Sequence, residues 1–241
     1  MASRRVGLYD NNVAVAFLWP LKWLFGTVLL YVLLALIALT VAFLFAKYQW
    51  TDPVAASDAL FQAESARVST LLGTGLYASN YASLPVYTQR WTYRVFFQTT
   101  RLDDMARLAL TKEPVTEPFD RTLSGFVSRN LNELYVAMNI IQVYGFRIGF
   151  LLASIPLFFM IYFLALADGL TERYIRRACA GRESADLNKL GRLFKLMFFA
   201  SAVTVYLCTP VAISPFWVVV PLAVIFAIAT RLQWQFYKKY F

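Results

Sequence analysis

Long apolar stretches with almost no charged side chains alternate with polar stretches along the chain. The three longest apolar stretches cover residues 21–46, 148–167 and 196–230. A helix of about 20 apolar residues rises about 30 Å, which matches the thickness of the hydrocarbon core of a bilayer. The pattern therefore predicts an all-α membrane protein.

The first two apolar stretches have the features of complete transmembrane helices. Residues 21–46 form a longer run than the apolar segment of a secretory signal, which has about 7–15 residues, so we expect this helix to be retained. Residues 148–167 form transmembrane helix 2, and Pro156 lies near its middle. Because proline lacks a backbone N–H, we expect a kink there.

The third apolar stretch is too long for one straight span. Pro210, Ser214 and Pro215 interrupt it, and proline together with small polar residues favours a turn. We therefore predict a tight hairpin of two short spans, transmembrane helix 3 over residues 196–213 and transmembrane helix 4 over residues 214–230.

The charged residues predict the orientation of these four spans. The N-terminal segment 1–20, the loop 168–195 and the tail 231–241 carry an excess of lysine and arginine, whereas residues 47–133 hold nine basic and nine acidic residues. Cytoplasmic loops are enriched in basic residues. We expect a bacterial inner-membrane protein with both termini and the 168–195 loop in the cytoplasm, and residues 47–147 as a periplasmic domain.

Composition supports the membrane assignment and changes the interpretation of the net charge. The chain is 59% hydrophobic and 15% charged, against averages of about 45–50% and about 25% in soluble domains. A net charge of +9 would suggest nucleic-acid binding in a soluble protein. The basic cytoplasmic segments account for it here, and we expect no direct nucleic-acid binding.

The predicted periplasmic domain has helical periodicity over residues 58–76, 91–110 and 122–144, and the last of these helices should run directly into transmembrane helix 2. Its many aromatic side chains indicate either a small core resting on the membrane, which we favour, or a groove for carbohydrate or lipid. Asp103 and Asp104 are adjacent and so point in different directions on a helix. We expect them on a solvated face rather than in a catalytic site.

The loop 168–195 predicts a helix, a turn and a second helix. Glu172 lies four residues before Arg176, the favourable order for an intrahelical ion pair. Gly181 suits the end of the first helix and Ser184 the start of the second. The arginines either set the topology and hold anionic phospholipids, or they also dock a protein partner.

Three short motifs follow one another in this loop: Asp168-Gly169-Leu170, then Arg173 with Arg176-Arg177, then Gly181-Arg182-Glu183-Ser184. They resemble the pattern Asp-Gly-Leu, Arg-Asp-x-Arg-Arg, Gly-Gly-Arg-Glu-Ser of a family of integrating-conjugative-element membrane proteins. This family, a domain of unknown function, includes TraJ-type inner-membrane proteins encoded beside the conjugative coupling ATPase. The hydropathy layout is similar over nearly the whole chain.

The resemblance implies an accessory component of conjugative DNA transfer through a type IV secretion system, one that assists or anchors the coupling ATPase. A second copy of the chain is a further candidate partner. The residues expected to bind the partner are Asp168, Gly169, Glu172, Arg173, Arg176, Arg177, Gly181, Arg182, Glu183 and Ser184.

Candidate catalytic chemistry is sparse in this sequence. The chain has no histidine, the commonest general base near neutral pH and a common zinc ligand. Cys179 lies in a polar segment and Cys208 in an apolar one, so we expect no disulfide between them. We expect no enzymatic activity, no cofactor and no bound metal. The alternative function is a subunit of a small-molecule or ion transporter or channel, which the scarcity of ionisable residues within the spans disfavours.

The predicted topology can be tested with single cysteines. A membrane-impermeant thiol reagent applied from the periplasm should label a Trp91→Cys variant and leave an Arg182→Cys variant unlabelled. The opposite labelling pattern would overturn the orientation.

Overall fold

The computed structural model describes residues 7–73, 83–111, 125, 127–179 and 185–236, and the regular structure of these residues is helical. We number the helices in chain order. They are α1 (Gly7–Tyr48), α2 (Pro53–Gly73), α3 (Leu84–Tyr93), α4 (Leu102–Thr111), α5 (Leu131–Ala153), α6 (Ile155–Ala178), α7 (Ala185–Cys208) and α8 (Pro215–Gln235). A wider turn over Arg94–Gln98 continues α3. The predicted all-α class is confirmed.

Four stretches are long and apolar enough to cross a membrane. They are Leu24–Tyr48, Leu131–Arg176, Asn188–Cys208 and Pro215–Gln235, and an 18-residue window within each has a mean hydropathy of 2.9, 2.4, 1.4 and 2.0. The chain is therefore a multi-pass membrane protein with four candidate transmembrane helices. The helices themselves extend beyond the apolar runs, since hydrogen bonding within a helix continues after the side chains become polar.

Helices α7 and α8 form an antiparallel hairpin. Near the start of α7, Asn188 donates a hydrogen bond to the Gln233 carbonyl oxygen near the end of α8, at 2.9 Å. Lys195 of α7 donates to the Gln233 side-chain oxygen at 2.8 Å. Helix α6 packs beside α8, where the ring of Phe158 meets that of Phe226 edge to face, with centroids 5.7 Å apart.

Helices α5 and α6 form one long rod with a single interruption at Ser154. The Ser154 N–H donates to the carbonyl oxygens of Phe150 and Leu151, and helical bonding resumes where Phe158 donates to Ser154. Pro156 has no N–H to offer the carbonyl of the preceding turn. The kink predicted at Pro156 corresponds to an interruption of the helical hydrogen bonds two residues earlier, and the helix that leads into this interruption is continuous from Leu131.

Helix α5 is the centre of the fold. Helices α2 and α3 pack along it, and α1 contributes three buried alanines, Ala35, Ala38 and Ala42, whose small side chains let the helices approach closely. Tyr144 of α5 is 1% exposed and donates to the Tyr31 carbonyl oxygen of α1 at 2.9 Å. Helices α2 and α3 therefore pack directly on α1 and α5 and share a core with them.

The prediction that Asp103 and Asp104 share a solvated face is wrong for Asp103. Asp103 is only 9% exposed. It accepts a hydrogen bond from the Tyr93 hydroxyl at 2.8 Å and pairs with Arg107 at 3.3 Å. Burial and the bond to Asp103 raise the pKa of Tyr93 above its ordinary value. Asp103 therefore links α4 to α3, whereas Asp104 is exposed.

Two glycines allow α3 to touch α5. A Cβ placed on Gly145 would lie 2.7 Å from the Gln89 Cα, and one placed on Gly149 would overlap the Pro85 Cα. The approach is fastened by the Thr88 hydroxyl, which donates to the Gly145 carbonyl oxygen at 2.8 Å. A larger residue at either glycine has to push the two helices apart.

We therefore expect Gly149→Ala to lower the stability of the protein by about 1–3 kcal/mol, the usual cost of overpacking. The control is Gly26→Ala, because no atom lies within 4 Å of a Cβ at Gly26. Thermal unfolding in detergent measures both. Equal unfolding temperatures for the two variants would contradict the close contact between α3 and α5.

Candidate functional site

The structure brings several predicted partner-binding residues together at the end of α6, against α8. Arg231 of α8 lies between two carboxylates of α6. Its Nε is 2.8 Å from Asp168 Oδ2, and its Nη2 is 3.2 Å from Glu172 Oε1. We call Asp168, Glu172 and Arg231 the α6–α8 cluster. All three side chains are between 35% and 54% exposed, so water screens these ion pairs.

The sequence predicted that Glu172 would pair with Arg176 on the same helix, and the structure places these side chains otherwise. The Glu172 carboxylate pairs with Arg231. The Arg176 guanidinium lies over the Phe236 ring, 4.2 Å from its centroid. With the Gln235 amide oriented so that its oxygen faces Arg176, it accepts two bonds at 2.8 and 3.1 Å. Both residues of the predicted pair thus fasten α6 to α8.

Gly169 belongs to the same contact. A Cβ at this position would lie 2.9 Å from the Arg231 carbonyl oxygen and 3.1 Å from the Trp234 Cβ. Glycine is therefore required for the close approach of α6 and α8, which places Arg231 within reach of both carboxylates. This gives the Asp-Gly-Leu motif a structural role.

The rest of the predicted binding set extends beyond this contact. Arg173 is half-buried on the same helix. The side chain of Arg177 and all of Gly181, Arg182, Glu183 and Ser184 lie outside the described residues. Helices flank them on both sides, since α6 ends at Ala178 and α7 begins at Ala185. Three apolar side chains near the end of α6 are exposed: Leu170, Tyr174 and Ile175.

A second cluster, which sequence reasoning missed, lies at the opposite end of α7 and α8. Arg147 of α5 is 1% exposed and Glu64 of α2 is fully buried. The Arg147 Nη2 is 3.1 Å from Glu64 Oε1, and its Nε is 3.3 Å from the same oxygen. We call Glu64, Arg67 and Arg147 the buried cluster.

Arg147 also binds the backbone at the turn between α7 and α8. Its Nη1 donates to the carbonyl oxygens of Tyr206, at 2.9 Å, and Thr209, and its Nη2 donates to that of Val211 at 2.5 Å. The guanidinium also lies 5.3 Å from the centroid of the Tyr206 ring. Carbonyls at a helix C-terminus have no intrahelical donor and carry partial negative charge. One buried cation therefore satisfies several of them at once.

Arg67 completes the buried cluster and connects it to the surface. Its Nη1 is 3.1 Å from Glu64 Oε2, and its Nη2 donates to the Ala212 carbonyl oxygen at 3.2 Å. The Arg67 side chain is 29% exposed. Two guanidinium groups and one carboxylate leave the cluster with one net positive charge, which reaches the surface at Arg67.

A signal for this cluster exists in the sequence. Leu60, Glu64 and Val68 are spaced four residues apart and therefore lie on one face of α2. Leu60 and Val68 are buried apolar residues, so a carboxylate between them needs a buried partner. Arg147 directly precedes the apolar run of residues 148–167, where a basic residue is typical of the boundary of a span. Neither residue alone indicates the other, which is 83 positions away.

Comparison with known families gives a match. A sequence model of the family described as "IncC plasmid conjugative DNA transfer protein DtrJ-like" matches residues 54–238. No curated protein and no solved structure matches the chain. The matched range includes both clusters and α3 to α8. It confirms the resemblance to a family associated with conjugative transfer.

The two clusters should differ sharply in their contribution to stability. Arg147→Met leaves Glu64 charged and buried without its partner and removes the donors of the α7–α8 turn. We expect a loss of about 3–5 kcal/mol. Arg231→Met removes a half-exposed ion pair and should cost about 1 kcal/mol or less.

Thermal unfolding of both variants in the same detergent measures this difference. Glu64→Gln should resemble Arg147→Met because it also breaks the buried pair from one side. If Arg147→Met and Arg231→Met unfold at the same temperature, the buried cluster does not hold the fold together.

Proposed function

The chain belongs to the DtrJ-like family of conjugative DNA transfer proteins, and from this premise we propose that it is an inner-membrane accessory component of a type IV secretion system. In this proposal it assists or anchors the coupling ATPase and has no catalytic activity of its own. The observation that carries the proposal is the family match over residues 54–238, which spans most of the chain.

The distribution of charged groups supports a structural role over transport. In transporters and channels, ionisable groups within the spans line a substrate path or a water-filled cavity. In the part of the chain that the structure describes, Arg147 and Glu64 form the most deeply buried ion pair. This pair joins α5 to α2, and Arg147 also donates hydrogen bonds to the α7–α8 turn. Such a pair fixes helix positions and offers no site to a passing solute.

We propose that the partner docks at the end of α6 and the following loop, on the cytoplasmic side. The α6–α8 cluster supports this role because it holds the end of α6 in place before a partner arrives, which reduces the entropy lost on binding. Exposed Tyr174 and Ile175 lie beside the arginines of this helix. Arginine and tyrosine are enriched in protein interfaces, where arginine pairs with carboxylates in a bidentate geometry.

A charge-preserving substitution separates protein docking from lipid attraction. Arg173→Lys, Arg176→Lys, Arg177→Lys and Arg182→Lys together keep the positive charge and remove the planar guanidinium geometry. We expect this variant to insert normally in the membrane, because lysine also obeys the positive-inside rule. It should lose co-purification with the coupling ATPase and transfer DNA at a reduced frequency.

The fold offers two controls for this experiment. Arg176→Lys alone tests whether weakening the contact with Phe236 is enough to cause the loss. A four-lysine variant at exposed arginines elsewhere, Arg90, Arg94, Arg107 and Arg129, matches the number and kind of changes. Wild-type transfer and co-purification in the loop variant would reject docking through these arginines. A loss caused equally by Arg176→Lys alone would assign the effect to the α6–α8 contact.

A further inference from the structure

A cleft lies where α2, α3, the break between α5 and α6, and the start of α8 meet. It encloses about 510 Å³, within the range of about 300–1,000 Å³ that is typical of ligand pockets. Its walls are mainly apolar, formed among others by Val68, Phe150, Leu157 and Val219. Arg67 also lines it.

The charge at the cleft is positive. The buried cluster carries one net positive charge, and that charge reaches the surface at Arg67, because Arg147 is 1% exposed and Arg67 is 29% exposed. The first turn of α8, at Ser214, Pro215 and Phe216, also borders the cleft. The N-terminal end of a helix carries partial positive charge and adds to the attraction for an anion.

The cleft opens beside the apolar outer surface of the membrane helices. Leu157 lines the cleft and is 44% exposed, and Phe216 lines it and is 65% exposed. Trp217, next to Phe216, is 74% exposed. Side chains of this kind on a transmembrane helix face lipid, and tryptophan is typical of the headgroup region. An acyl chain can therefore enter from the bilayer without crossing water.

We propose that this cleft binds one anionic phospholipid, with an acyl chain between α2, α6 and α8 and the phosphate on the Arg67 guanidinium. The lipid comes from the leaflet on the side where α2 and α3 lie, opposite the α6–α8 cluster. Apolar walls select a chain, and the net positive charge of the buried cluster selects an anionic over a zwitterionic headgroup. The site is independent of the partner-docking surface.

Binding of two lipids with the same acyl chains tests the proposal. Delipidated protein in mild detergent is titrated with phosphatidylglycerol or phosphatidylcholine, and bound lipid is counted by native mass spectrometry. We expect about a fivefold preference for phosphatidylglycerol, which corresponds to about 1 kcal/mol for one basic side chain near a charged lipid. Arg67→Gln should abolish this preference, and Arg67→Lys should retain it.

Two further variants make the result specific. Ala153→Leu combined with Val219→Phe fills the cleft and should weaken the binding of both lipids, whether or not Arg67 is intact. Arg90→Gln removes an equal charge from an exposed position outside the cleft and should leave the preference unchanged.

Several outcomes would overturn the proposal. Equal binding of both lipids by the wild type would remove the role of Arg67. Undiminished binding in the filled variant would place the lipid elsewhere. Competition by glycerol phosphate as strong as that by phosphatidylglycerol would indicate a free anion site without a lipid chain.

Discussion

The fold depends on one constraint, namely that the carbonyl groups at the turn between α7 and α8 must be satisfied without water. The carbonyl oxygens of Tyr206, Thr209 and Val211 lie at the end of α7 and in the turn, against the buried Arg147 side chain. A buried backbone carbonyl that is left without a hydrogen-bond donor costs about 1–3 kcal/mol. Arg147 supplies the donors from inside the protein.

Arg147 creates a second requirement, because a guanidinium that is only 1% exposed needs a counter-charge. Glu64 provides it, and Glu64 can reach Arg147 only if α2 lies along α5. The close packing of α3 at Gly149 then covers another face of the same helix. The positions of α2, α5 and the α7–α8 hairpin are thus coupled through one ion pair. Helices α2 and α3 are packed directly on the apolar helices α1 and α5.

How much of this could be predicted depends on the range of each interaction. Hydropathy and periodicity act locally, and they correctly predicted the all-α class and four helices that are long and apolar enough to cross a membrane. Contacts between distant segments were not accessible from one sequence. Glu172 has a good local partner in Arg176, yet it pairs with Arg231, 59 residues away, because Gly169 lets α8 approach. Likewise the sequence around Asp103 predicts a solvated position, and Asp103 is buried because α3 packs against α4.

The two clusters lie at opposite ends of the α7–α8 hairpin. Their different exposure to water determines how strongly each one stabilises the fold. Breaking the buried Arg147–Glu64 pair leaves an uncompensated charge in a low-dielectric site, so the pair holds a fixed geometry and cannot exchange partners. The α6–α8 cluster is 35–54% exposed, and water compensates for the loss of any one contact. The α6–α8 cluster therefore adds less to the stability of the fold than the buried pair does. The helices are therefore held together mainly at the end where Arg147 meets the α7–α8 turn, whereas the end of α6, where we propose that a partner docks, is held by weaker contacts that water screens.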